Sequence, residues 1–276
     1  MENLKESCLE SRSLPRPGKG AEKRDEVCTE PEDKMSDDDV KLSILTHGLL
    51  HIFHLSCEDN VCDMTCGEGA AGFASLLSSG RVQFYYPDGR LRESSFSPSI
   101  TIHYAGLTST QIPGRLVGWG PGAILTLLDA ELKPLVHAVE PMDVRVCKVR
   151  EQSNELVSGG MGNVCVWCLT HLVCRKRVVE GLGTHMVITQ LALVPDRAHC
   201  GPTALAAYGG AVVVVDLIEG RVVEHRKNLH LREITGLVYC PLTDSVVTAS
   251  DMTIRVWGPD WELQMSFVGH SGQKMS

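Results

Sequence analysis

Residues 245–257 read SVVTASDMTIRVW. Two apolar runs flank Asp251, and the second closes on the indole of Trp257. Short runs rich in Val, Ile, Leu and Tyr, separated by Gly, Asp, Pro and Ser, carry the chemistry of strands and tight turns. The same plan returns at residues 155–167 (ELVSGGMGNVCVW) and 203–216 (TALAAYGGAVVVVD). Weaker copies stand at 41–55 (KLSILTHGLLHIFHL), 72–91 (GFASLLSSGRVQFYYPDGRL) and 114–129 (GRLVGWGPGAILTLLD). With Gly48, Gly80, Gly120, Gly162, Gly210 and Asp251 as anchors, the spacings are 32, 40, 42, 48 and 41 residues, which marks a repeat. No segment keeps a 3.6-residue period over a helical length. Strict alternation is confined to parts such as Leu191 and Leu193; elsewhere the runs are apolar on both faces, as in strands sandwiched between neighbouring sheets. Units of three to four strands, each near 40 residues, predict a radial stack of small sheets.

The last unit carries a further pattern. His230 stands four residues before Ile234, LVYCPLTD follows at Leu237–Asp244, then VVTAS, then Asp251 and the run to Trp257. In this it resembles the WD-repeat β-propellers, whose blades open with Gly-His, carry an Asp in the tight turn and close the third strand at Trp-Asp. The resemblance implies an all-β fold: a propeller of about six four-stranded blades, or an incomplete, open seven-bladed ring. It further implies a buried hydrogen-bond chain through His230, Thr248, Asp251 and Trp257. A buried His, Asp and indole N–H each need a partner, and a closed chain satisfies all of them. The pattern also departs from the family. Gly258 follows Trp257, Cys168 follows Trp167, Val215 stands before Asp216 where Trp is expected, and Met161 takes the place of the turn Asp beside Ser158 and Trp167. The first three units lack nearly every signature residue, so the likeness covers residues 41–270 in pattern and 144–270 in motif.

Composition agrees with a strand-rich body: 43% hydrophobic, 22% charged, 5% aromatic, with 26 glycines among 276 residues. No run of 18 apolar residues occurs that could span a membrane as a helix. The opening MENLKESCLE is charged and resembles no secretory signal. Eleven irregularly spaced cysteines in such a chain predict free, mostly buried thiols and a cytoplasmic location. The net charge of −8 is uneven, because residues 1–40 hold seven Lys/Arg against twelve Asp/Glu. With Pro15, Pro17, Pro31 and few apolar side chains, residues 1–40 read as a disordered acidic arm, 41–270 as the propeller and 271–276 as a tail.

Few residues suggest chemistry. His51, His54, Cys57, Cys62 and Cys66 are zinc-capable, and His54, Cys57, Cys62 and Cys66 form the weak alternative of a metal site. Against it, His51 and His54 fall on opposite faces of a strand, and no paired C-x2-C knuckles are present. Cys165, Cys168 and Cys174 suggest redox chemistry only by spacing, since three positions along a strand turns a side chain to the other face. Asp216 after AVVVVD mimics the ribose-binding acid of a dinucleotide fold, but the glycine fingerprint that should precede it is absent. No nucleophile-elbow, phosphate-loop or zinc-protease motif occurs. Arg175-Lys176-Arg177 and His225-Arg226-Lys227 close two units as outer blade edges, where a nucleic-acid patch would need several such contacts together. The expectation is therefore a non-catalytic protein-interaction scaffold with no cofactor, acting on other proteins rather than on membrane or nucleic acid. A zinc- or RNA-contacting module and a propeller enzyme with a channel site are the alternatives. The looser likeness to large cytoskeletal and ciliary WD-repeat proteins extends to location. Gly269-His270, the dipeptide that opens a blade, stands six residues before the last one, which predicts a shortened product with a gapped ring.

Overall fold

In the computed structural model, which describes residues 59–66, 72–92, 104–112, 114–120, 123–129, 133–139, 143–196 and 201–269, the predicted runs are strands and the predicted punctuation is turns. Nineteen strands form five antiparallel sheets among these residues. The first sheet holds β1 (Val61–Cys66), β2 (Phe73–Leu77) and β3 (Val82–Tyr85). The second holds β4 (Gly106–Ser109), β5 (Leu116–Gly120), β6 (Ile124–Leu128) and β7 (Pro134–His137). The third holds β8 (Val146–Arg150), β9 (Glu155–Gly160), β10 (Asn163–Cys168) and β11 (Val173–Val178). The fourth holds β12 (Gln190–Val194), β13 (Thr203–Tyr208), β14 (Ala211–Asp216) and β15 (Arg221–Arg226). The fifth holds β16 (Ile234–Cys240), β17 (Ser245–Ser250), β18 (Thr253–Trp257) and β19 (Leu263–Val268). Among the described residues the only helical turn is the 3₁₀ turn Glu151–Ser153.

Each sheet is an up-and-down ribbon, and each packs on the next in chain order, as blades of a β-propeller do. Apolar layers lie between them. Ala74 and Leu76 meet Leu107, Leu116 and Leu128; Val117, Trp119 and Leu127 meet Leu156, Cys165 and Trp167. Val157, Val164 and Val166 meet Ala204, Val213 and Val215; Leu205 and Val212 meet Leu237, Val246 and Trp257. The runs apolar on both faces are thus explained, because each middle strand feeds two cores.

The repeat is sharper in three dimensions than in sequence. All four four-stranded sheets break register at one place on the third strand: Leu127/Leu128, Val166/Trp167, Val214/Val215 and Val256/Trp257. A bulge there adds twist where the outer strand joins. It also identifies Leu128 and Val215 as occupants of the position that holds tryptophan in the third and fifth sheets. The turn before that strand places Gly162 at φ 64° and Met252 at φ 58°, a left-handed conformation free to glycine and costly to methionine.

One expectation changes here. The count of about six blades, or of an open seven-bladed ring, becomes five among the described residues. The unit read around Gly48 lies outside them, and β1 belongs to the sheet anchored at Gly80. The acidic arm, the boundary near Val40 and the tail also lie outside the described residues. The chain divides into Met1–Ile52 and Phe53–Ser276, and all five sheets belong to the second unit.

Candidate functional site

Three of the four residues expected to form a buried chain come together. The Trp257 indole N–H donates to Thr248 Oγ1 at 2.8 Å, and Thr248 Oγ1 lies 2.7 Å from His230 Nε2. The register explains the meeting. Thr248 pairs Arg255 and Val246 pairs Trp257, so Thr248 and Trp257 share the face turned to the fourth sheet. His230 reaches that face from the crossover, where its own N–H bonds Gly210 O at 3.0 Å. All three side chains are buried. Thr248 Oγ1 accepts the indole proton and keeps both its hydroxyl proton and a second lone pair for the imidazole nitrogen, so either neutral tautomer completes the contact.

Asp251 is placed elsewhere. It occupies the turn itself, its side chain is 57% exposed, and it pairs with Arg232 at 3.1 Å. The cation that acts on the imidazole is Arg255, whose Nη1 donates to Leu229 O. Burial, with Arg255 second, holds His230 below the ordinary histidine range. The folded state then binds fewer protons than the unfolded one. The stabilisation from neutral His230 is complete above the unfolded value of 6.5 and is lost as pH falls through the lower folded value. We expect the thermal midpoint to fall more steeply between pH 7 and 5 in the wild type than in His230→Gln. Parallel curves for the two proteins would contradict this.

The third sheet repeats the motif with one member fewer: the Trp167 indole donates to Ser158 Oγ at 2.8 Å. Asp216 caps the following turn, accepting from the N–H groups of Ile218 (2.7 Å) and Glu219 (2.9 Å), and Asp129 accepts from Lys133 N–H at 2.8 Å. An acid closing a hairpin turn is what AVVVVD encodes here.

The other candidates disperse. Cys62 and Cys66 are exposed on β1, whereas His51, His54 and Cys57 lie outside the described residues. Among the described residues no three His, Cys, Asp or Glu side chains converge to hold a metal. Cys165 packs in the core between the second and third sheets, its thiol pushed up to about 12 by burial and by nearby Cys174. Cys168 turns to the opposite face of β10 from Cys165. The basic triplets are engaged in structure. Arg175 pairs Glu155 at 3.1 Å, Lys176 Nζ donates to Leu217 O (3.0 Å) and to Ile218 O of the next sheet, and Arg226 pairs Glu224 at 2.7 Å.

One feature escaped the sequence. The turn between β18 and β19 carries Trp261, whose ring lies against Trp257 (6.5 Å) and under the Arg226 guanidinium (5.8 Å). With Val214, Asp216, Tyr239 and Asp244 it lines a cleft of about 420 Å³ between the outer parts of the fourth and fifth sheets. An isolated Trp after Pro259-Asp260 was the available signal, but its neighbours come from another blade.

No family model matches the chain. Human WD repeat-containing protein 97 is 29% identical to it over 265 residues, covering 85% of this chain and 15% of the relative's length. No described helix is long and apolar enough to cross a membrane. Sequence and fold point the same way: the chain is similar to a WD repeat-containing protein, and its described residues form antiparallel sheets stacked as the blades of a β-propeller.

Proposed function

We propose that this chain is a non-catalytic scaffold that docks other proteins on its blades, in the cytoplasm. The carrying observation is the cleft around Trp261. Trp, Tyr and Arg side chains set in a partly enclosed, mixed-charge hollow are the residue types on which protein–protein affinity concentrates. The polar residues of the blade cores serve internal bonds, such as Trp167 to Ser158 and Trp257 to Thr248, which leaves the rims and turns for recognition. Residues 41–270 would work together as the binding domain, and its partners are proteins that present an apolar anchor with flanking charge.

Proximity labelling from the full chain, compared with Arg226→Glu and Trp261→Ala, tests the reading. A set of proteins labelled by the wild type and lost from both variants, with thermal midpoints within a few degrees, is the expected result. Identical sets from all three chains would remove the cleft from function. Among the described residues no group of three His, Cys, Asp or Glu favours the zinc-contacting reading.

A further inference from the structure

In three sheets the turn between the third and fourth strands carries a residue with left-handed backbone: Leu172 (φ 48°), Gly220 (φ 70°) and Trp261 (φ 62°). Glycine adopts that conformation freely, whereas it is strained for leucine and tryptophan. Leu172 offsets the strain by sinking wholly into the core between the second and third sheets. Trp261 stays half-buried and lines the cleft of about 420 Å³ between the fourth and fifth sheets. A strained turn that holds a large aromatic at the wall of an open hollow points to a contact made with another molecule.

The cleft is layered. Leu205 and Val246, which line it, are buried in the core between the two sheets, while the charged side chains that line it all reach solvent. Among the described lining residues four carboxylates, Asp216, Glu224, Asp244 and Asp260, stand against two guanidiniums, Arg221 and Arg226. Both guanidiniums are matched within their own hairpin: Arg226 pairs Glu224 at 2.7 Å, and Arg221 pairs Glu219. Asp216 accepts from the N–H groups of Ile218 and Glu219, and Asp244 accepts from the Tyr239 hydroxyl at 3.2 Å. These neutral donors fix the carboxylates without cancelling their charge. Glu262, whose carboxylate accepts from Asp260 N–H at 3.2 Å, sets one more acid beside the cleft. The hollow is apolar at depth and net negative where it meets water.

We infer that this cleft takes a short basic segment of a partner protein, with one apolar side chain entering beside Trp261 and an adjacent lysine or arginine meeting Asp244 and Asp260. The inference rests on the reading of the cleft as a docking site and adds the sign of the partner's charge. The volume, near the lower end of the range that small ligands fill, suits a few side chains of an extended segment. Opposite charge selects that segment and speeds its encounter, and like charge rejects acidic ones. The long aliphatic stem of a lysine or arginine also packs on apolar walls while its head stays in water at the carboxylates.

The test presents the full chain, wild type and Trp261→Ala in parallel, to a displayed library of random dodecapeptides. Peptides retained by the wild type and lost by Trp261→Ala should carry lysine or arginine next to an aliphatic or aromatic residue. The tightest of them, synthesised and titrated, should lose about tenfold in affinity to Asp244→Asn/Asp260→Lys, and should bind the wild type more weakly as salt rises. Val139→Lys, at an exposed position between β7 and β8, should bind like the wild type. If the double variant unfolds by circular dichroism, Asp260→Lys alone, in an exposed turn, should give a smaller loss of the same sign. Trp261-dependent peptides that are acidic or uncharged, or basic ones indifferent to the charge variants, would overturn this inference and leave the cleft a docking site. A selection that yields no Trp261-dependent peptide would overturn both readings.

Discussion

Trp167→Ala is expected to lower the free energy of unfolding by about 3–5 kcal/mol, the range found when a fully buried large aromatic is cut back. Trp167 is at 0% exposure and stands where the core between the second and third sheets meets the bulge of β10. Removing it empties a site walled by Val117, Leu156 and Leu172, and strands held in two neighbouring cores cannot collapse into the space. The indole N–H also leaves Ser158 Oγ, buried and without its donor. Trp167→Phe keeps most of the volume and loses only the hydrogen bond, so it should cost about 1–2 kcal/mol. Urea titrations of the three proteins read both values from the midpoint at constant slope. A Trp167→Ala cost below about 1 kcal/mol would mean that the third blade is not packed as described.

Thr248→Val should cost about 2–4 kcal/mol, because it deprives two buried groups at once and each unpaired group costs about 1–3 kcal/mol. The valine fills the threonine's space but cannot accept from Trp257 or bond His230. Asp251→Ala, by contrast, should change stability by less than about 1 kcal/mol. Its carboxylate is more than half exposed and paired with Arg232 at the surface, where ion pairs contribute little. The two variants together separate a three-membered chain from a four-membered one. If Asp251→Ala proved as damaging as Thr248→Val, the aspartate would belong inside.

The family resemblance led to all four of these residues, and its error at Asp251 is instructive. The identities His, Thr and Trp sufficed because strand register puts Thr248 and Trp257 on one face whatever lies around them. A turn residue has no such constraint. Its side chain follows the local charges, and here Arg232 lies outside while Arg255 keeps the company of the buried imidazole. The cysteine spacings were legible for the same reason as the strands, since alternation along β10 separates Cys165 from Cys168 without any knowledge of the fold.

What the sequence alone determined is therefore local and periodic: strands, hairpin turns, a unit of about 40 residues, and runs apolar on both faces that require a sheet on either side. Those features depend on backbone sterics and on each residue's own affinity for water, and both act within a few residues. The tertiary structure decided which polar groups meet and that Trp261 of one blade and Arg226 of another share a cleft. Val256 and Val166 occupy the same place in the repeat, yet Val166 is buried against the fourth sheet and Val256 is only half-buried. Burial is a relation between a side chain and its neighbours, and those neighbours lie about 40 residues away along the chain.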